Sequence, residues 1–290
     1  MKFRAHWTVW AVLLAIAAMG ASAAQPRTRP AALPGQGPDA GKIVIYRDTW
    51  GVPHLYAPTV EDGLYAQGYA QAEDRPQQLL QNLKMAMGEY SEVVGTAGEQ
   101  SDLFALLFDH YGTARRAYDL ATPRARARLD AFAAGINAWY AAHAEDVPAW
   151  WRHGPVTAVM VDAFGRMFLN NWSIDEAIGD LKRGGVNPGF SGTARASNQM
   201  AIAPSRSASG HAMLVIDPHL AFFGPSRFWE MRIHAGDLHG SGVGLVGSPY
   251  ILLGHNAEMA WAMTTGGPDT ADVYELVLDA AGTHYRFAGE

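Results

Sequence analysis

No cysteine occurs among the 290 residues, so no disulfide framework exists to report the compartment in which the chain works. Charge is also scarce. Charged residues make up 17% of the chain, and 22 Lys+Arg against 28 Asp+Glu leave −6 with no long basic run, which argues against a nucleic-acid partner. Several familiar chemical signatures are missing too: no HExxH, no P-loop, no GxGxxG opening a helix, and no GxSxG elbow. The 11 histidines are scattered, without the paired spacing that a zinc site needs. No internal repeat is visible, and past the N-terminus no apolar run is long enough to span a bilayer.

What is present is apolar: 49% of residues, ample for one large core or two ordinary ones. Part of that fraction sits in residues 1–24. There Lys2 and Arg4 precede an apolar stretch from Trp7 to Met19, and Ala21-Ser22-Ala23 is a small-residue cleavage context. The stretch is short of the roughly 20 residues that cross a membrane, so it reads as a cleavable export signal rather than a stable anchor. The mature protein is then periplasmic or secreted. Residues 25–41, with Pro26, Pro30, Pro34 and Pro38, read as an extended leader.

Order is expected from Lys42. Ile43 to Ile45 and His54 to Ala57 read as strands around a Gly51-Val52-Pro53 turn. Thr59 and Asp62 offer a helix cap, and Pro76 opens a helix with Leu79, Leu80, Leu83 and Met87 on one face, stopped by Gly88. Thr122-Pro123 begins a third, with Leu129, Phe132, Ile136 and Trp139 at helical spacing, and a fourth is expected from Val156 to about Asn170. Residues 42–183 thus form a mainly helical part. A glycine-rich linker, 184–196, separates it from short β runs at 200–203, 212–216, 228–235, 250–253 and 260–264. The fold class is α+β.

Chemistry concentrates around the linker. After it come Ala196-Ser197-Asn198-Gln199-Met200, Ser205-Arg206-Ser207-Ala208-Ser209-Gly210, Asp217-Pro218-His219-Leu220, and later Gly254-His255-Asn256-Ala257-Glu258-Met259-Ala260-Trp261. Upstream stand Arg47-Asp48-Thr49-Trp50-Gly51-Val52-Pro53-His54 and Gly68-Tyr69-Ala70-Gln71-Ala72-Glu73-Asp74-Arg75. A bare Ser-Asn pair is an ordinary loop, but this series in this order resembles the penicillin acylase family of N-terminal-nucleophile (Ntn) hydrolases, from about Lys42 to Glu290.

The resemblance implies a four-layered αββα sandwich and cleavage of N-acyl amide bonds. A serine hydroxyl needs a base, and in this family the serine's own α-amine, with a reference pKa of about 7.7–8.0, serves. A peptide nitrogen cannot, so Ser197 must be freed by autoproteolysis at Ala196-Ser197. Many relatives carry Gly where this chain has Ala196. The resemblance further implies Thr265 as a backbone oxyanion donor and His219 as a residue orienting the amine or a water, with a structural turn histidine as the alternative. It implies a structural Ca²⁺ held by Glu176, Asp269, the Ala271 carbonyl and Asp272, with solvent-facing turn caps as the alternative. No organic cofactor is implied.

The partners that the resemblance implies are a small N-acylated substrate and the α and β chains of one precursor. Substrate candidates are acyl-homoserine lactones, β-lactam antibiotics and acylated lipopeptides, with the texture closest to aliphatic-chain acylases. Trp150, Trp151, Phe164, Phe168 and Trp172 line an acyl pocket on this reading, while core packing explains them equally well. The stretch 197–290 reads as the start of a β chain, with the second oxyanion donor, an Asn, expected beyond residue 290. The competing expectation is a catalytically incompetent fragment that at most binds a ligand.

Overall fold

Thr59 caps the first long helix through its hydroxyl, which accepts the Asp62 backbone N–H at 3.1 Å and donates to the Asp62 carboxylate at 2.7 Å. In the computed structural model, which describes residues 41–189, 196–264 and 269–287, that helix is α1, Val60–Asp74. Pro76 then supplies the first helical position of α2, Pro76–Met87, which ends where Gly88 adopts φ 76°, as the sequence suggested. Three shorter helices follow: α3, Ser91–Val94; α4, Glu99–Leu107; and α5, His110–Leu120. Thr122 and Thr157 cap the two longest, α6, Pro123–Ala142, and α7, Ala158–Arg183. The expected signal and nearly all of the leader lie outside the described residues, as do residues 190–195 of the linker. Among the described residues no helix is long and apolar enough to cross a membrane.

Among the described residues eight strands complete the fold. They are β1 Val44–Arg47, β2 Pro53–Ala57, β3 Ala196–Ile202, β4 Met213–His219, β5 Phe228–Ala235, β6 Leu238–Leu245, β7 Leu253–His255 and β8 Ala260–Trp261. Six form one sheet in the order β1-β2-β5-β6-β7-β8, while β3 and β4 pair as a separate antiparallel hairpin. Among the described strands only β2 and β5 run parallel, with Leu55 opposite Ile233. The helical part and the strand-rich part therefore share one sheet instead of folding side by side.

Along β5, Trp229, Met231, Ile233 and Ala235 are buried while Glu230 and Arg232 face away, the period-2 signature of a sheet covered on one face. Leu79, Leu83, Phe132, Ile136 and Phe164, each fully buried, complete that core from the helices. The α1–α6 crossing is unusually tight, because a Cβ on Gly68 would overlap the Phe132 carbonyl oxygen and one on Gly135 the Tyr65 carbonyl oxygen. Helices on a sheet plus a hairpin meet the α+β class. The four-layered sandwich goes beyond what these residues form.

Candidate active site

β3 begins at Ala196, so Ser197 occupies the second position of a strand directly after the linker. Its hydroxyl donates to the Ala196 carbonyl oxygen at 2.5 Å, the carbonyl of the peptide bond whose scission would free the Ser197 amine. In the hairpin register Ser197 stands opposite Pro218, and Gln199 opposite Ile216. Paired residues share a face, so Ser197 looks to the same side as Leu214, Ile216 and Pro218. Those three line a cavity of about 770 Å³ whose other wall includes Phe228, Glu230, Arg232 and Val243 of the six-stranded sheet.

His219 stands opposite Ala196, one residue out of phase, and so lies on the other face of the hairpin with Asn198 and Asp217. There its Nε2 lies 3.0 Å from the Asp217 carboxylate, and this hydrogen bond holds Asp217 below the usual carboxylate range. The hairpin thus brings Ser197 and His219 within one ladder rung of each other along the backbone while directing their side chains to opposite faces. Thr265 lies outside the described residues.

Of the expected cation ligands, Glu176 and Asp269 meet from distant parts of the chain. Glu176, on α7, accepts both the backbone N–H and the hydroxyl of Thr270 at 2.6 Å, which lowers its pKa. Asp269 lies beside Glu176, and its carboxyl is pushed above its usual range by repulsion from Glu176 first and Asp272 second. Crowded carboxylates with a carbonyl between them match the donor chemistry of a hard cation. Among the described residues, however, no three acidic or imidazole side chains converge closely enough to hold a metal.

The aromatic set is divided. Phe164 is fully buried in the core, Phe168 and Trp172 meet edge to face with centroids 4.8 Å apart, and Trp151 lines a smaller cavity with Tyr140 and His153. None of the five lines the cavity on the Ser197 side of the hairpin.

Sequence reasoning passed over the residues that hold this scaffold together. Arg47 of the first upstream motif pairs with Glu73 and, at 3.0 Å, with Asp74 of the second, and Trp229 donates its indole N–H to Asp74 at 2.7 Å. The two motifs clasp each other and then strand β5. Gln71, fully buried on α1, donates to the Ser248 carbonyl at 3.1 Å and accepts the Gly247 N–H at 2.8 Å, while Asn82 on α2 donates to the Val246 carbonyl at 2.8 Å. These amides satisfy the backbone of the turn between β6 and β7, polar groups that would be costly to bury unpaired. The available signal was an amide at i, i+4 on an otherwise apolar helix face: Gln67 with Gln71, and Gln78 with Asn82.

Comparison with known proteins places these features in a family context. A model of the penicillin amidase family matches residues 42–290. The acyl-homoserine lactone acylase QuiP of Pseudomonas aeruginosa is 26% identical, with the alignment covering 87% of this chain and 36% of the relative. The acyl-homoserine lactone acylase PvdQ of Pseudomonas putida is 27% identical over 83% of this chain and 35% of its own length. Penicillin acylase 2 proenzyme of Pseudomonas sp. is 23% identical, with 86% and 39% covered. The chain therefore spans little more than a third of the length of the curated relatives it matches. Among solved structures, a thermostable penicillin G acylase from Alcaligenes faecalis superposes with a TM-score of 0.41 at 20% identity, covering 52% of this chain and 87% of that one.

Proposed function

The chain belongs to the penicillin amidase family, and on that premise we propose that it hydrolyses N-acyl amides with Ser197 as an N-terminal nucleophile. The observation that carries this reading is the contact of the Ser197 hydroxyl with the carbonyl of its own preceding peptide bond, in a strand that starts where the linker ends.

Processing begins from that contact. Attack of Ser197 Oγ on the Ala196 carbonyl carbon transfers the acyl group from nitrogen to oxygen, and the nitrogen takes up the hydroxyl proton. Water then hydrolyses the ester, leaving a carboxylate on Ala196 and a free α-amine on Ser197. That amine, with a reference pKa of about 7.7–8.0, removes the Oγ proton when an N-acyl substrate enters. Oγ attacks the substrate carbonyl, the Thr265 N–H donates to the oxyanion, and the protonated α-amine returns its proton to the departing amine. Water releases the carboxylic acid by the same route in reverse.

The proposed site draws support from its own geometry, since Ser197 shares its hairpin face with the lining of the 770 Å³ cavity, a volume suited to a drug-sized ligand. Acylated lactones and β-lactams, the compound classes in the relatives' names, are the first substrates to try. The His219–Asp217 pair is proposed to fix the position of the new amine from the hairpin's other face, as a positioning pair. Glu176, Asp269, the Ala271 carbonyl and Asp272 are proposed as ligands that would close around a Ca²⁺ ion on binding it; the ion would supply charge neutralisation and a tie between the two chains. Export to the periplasm or beyond is proposed on Lys2, Arg4 and the apolar run that follows.

The test is a panel of N-acyl substrates of graded chain length with acid release as the readout. Ser197→Ala is expected to abolish release and to leave an uncut precursor. Release by that variant at the wild-type rate would sink the proposal.

A further inference from the structure

The outer face of the six-stranded sheet carries histidines that the acylase reading leaves unused. Strands β5 and β6 are joined by Gly236 and Asp237 alone, with Ala235 opposite Leu238 and Gly236 at φ 57°, the left-handed conformation that so tight a hairpin needs. A turn that short fixes the register. The next rung therefore sets His234 directly opposite His239. Opposed residues share a face, and here it is the one turned away from the helices, since Ile233 and Ala235 take the buried side of β5. In sequence the two histidines are five positions apart, a separation without meaning until the turn between them is known.

Their rings stand close together. The centroids of His234 and His239 are 5.6 Å apart, with the planes tilted at 47°. Tyr56, opposite His234 on β2, stacks on the His234 ring at 5.0 Å and 15°, which steadies its orientation. Among the described residues no hydrogen bond or ion pair engages either imidazole, and His239 is exposed, so the pair is reached from solvent. His54 lies on the same face, opposite Arg232, but its Nε2 is turned to the Asp48 carboxylate at 3.5 Å.

We propose that His234 and His239 form an exchangeable two-imidazole site for Zn²⁺. Imidazole nitrogens suit borderline divalent cations of this kind, whereas Mg²⁺ and Ca²⁺ take oxygen ligands. A tetrahedral Zn²⁺ with Zn–N bonds of about 2.0–2.1 Å holds two imidazole centroids roughly 5 Å apart. The observed separation exceeds that by a few tenths of an ångström, within the reach of small side-chain rotations at a solvent-facing pair. Water completes the coordination, in keeping with the absence of three converging ligands among the described residues. Bound there, the ion cross-links β5 to β6 beside their turn. This site goes beyond the acylase reading and does not depend on it.

The experiment is calorimetric titration of the untagged protein with ZnCl₂ at neutral pH, in excess CaCl₂ so that the carboxylates around Glu176 are masked. A saturable one-to-one event is expected, and MgCl₂ in place of ZnCl₂ should give none. His234→Ala and His239→Ala each leave a single imidazole, and binding about tenfold or more weaker is expected in both, because the second contact of a chelate is effectively intramolecular. His54→Ala is expected to bind as the wild type does. As a second readout, Zn²⁺ should raise the thermal unfolding midpoint of the wild type and not that of His234→Ala. Unchanged circular dichroism in the variants would show that the fold is kept. Because Ser197→Ala should retain both responses, loss of acylase activity and loss of this site are read separately. Absence of saturable binding, undiminished binding in His234→Ala or His239→Ala, or an equal loss in His54→Ala would overturn the proposal.

Discussion

Asp269 carries more charge pressure than its exposed position suggests. Its carboxyl is held above the usual range because Glu176 and Asp272 repel its ionised form, while Glu176 is stabilised as an anion by two hydrogen bonds from Thr270. A divalent cation would neutralise this group and bridge α7 to the segment after β8. Added Ca²⁺ is therefore expected to raise the thermal unfolding midpoint, by the equivalent of about 2.7 kcal/mol at a hundredfold excess over its dissociation constant. Asp269→Asn should lose that shift, and a wild-type midpoint indifferent to Ca²⁺ would refute the site. At this scale the sequence was legible where a motif is a run of neighbours: the Ser197 segment and the Asp217-Pro218-His219 segment stand on paired strands, the latter inside β4 and not in a turn. It was opaque where a side chain acts at a distance. Nothing local distinguishes Gln71 from a solvent-facing glutamine, because the turn that it satisfies lies more than 170 positions downstream.

Helices and strands were readable in proportion to how strongly their own residues specify them. The caps at Thr59 and Thr122 and the stop at Gly88 are local chemistry, and each stands where the sequence put it. By contrast α7 continues well past Asn170, because Ile174 and Ile178 resume the buried stripe of Met160, Phe164 and Met167 after a weakly helical Asn-Asn-Trp-Ser stretch. Strand β6 was missed since Leu-His-Gly-Ser-Gly-Val-Gly-Leu reads as a turn. Its glycines serve close packing, as a Cβ on Gly244 would overlap the Tyr250 carbonyl oxygen. The same logic governs the α1–α6 crossing. Gly135→Ala gains helix propensity of about 1 kcal/mol, yet it drives a methyl group into the Tyr65 carbonyl oxygen. The net outcome expected is destabilisation by about 2 kcal/mol or more, of the size seen for overpacked cores. Urea unfolding of Gly135→Ala measures this directly, and a midpoint at or above wild type would show that the helices can separate at little cost.

For the molecule as a whole, the decisive feature is how many contacts cross the Ala196-Ser197 bond. Strands β2 and β5 pair in parallel across it, Trp229 reaches Asp74, Gln71 and Asn82 hold the Val246–Ser248 turn, and Thr270 reaches Glu176. A cut at that bond would leave the two pieces joined by one sheet and one core, so processing and persistence of the fold are compatible. The sequence suggested two segregated parts, because a glycine-rich linker between helical and β-rich texture is the ordinary mark of a boundary. Long-range parallel pairing leaves no local trace in either strand, and only the assembled sheet reveals it. The central claim, that Ser197 becomes a chain terminus, is tested most directly by expressing the complete reading frame and measuring the masses and N-termini of the products. The account predicts a product whose first residue is Ser197, absent from Ser197→Ala. A product that begins at any other residue, with N-acyl amide hydrolysis intact, would contradict it.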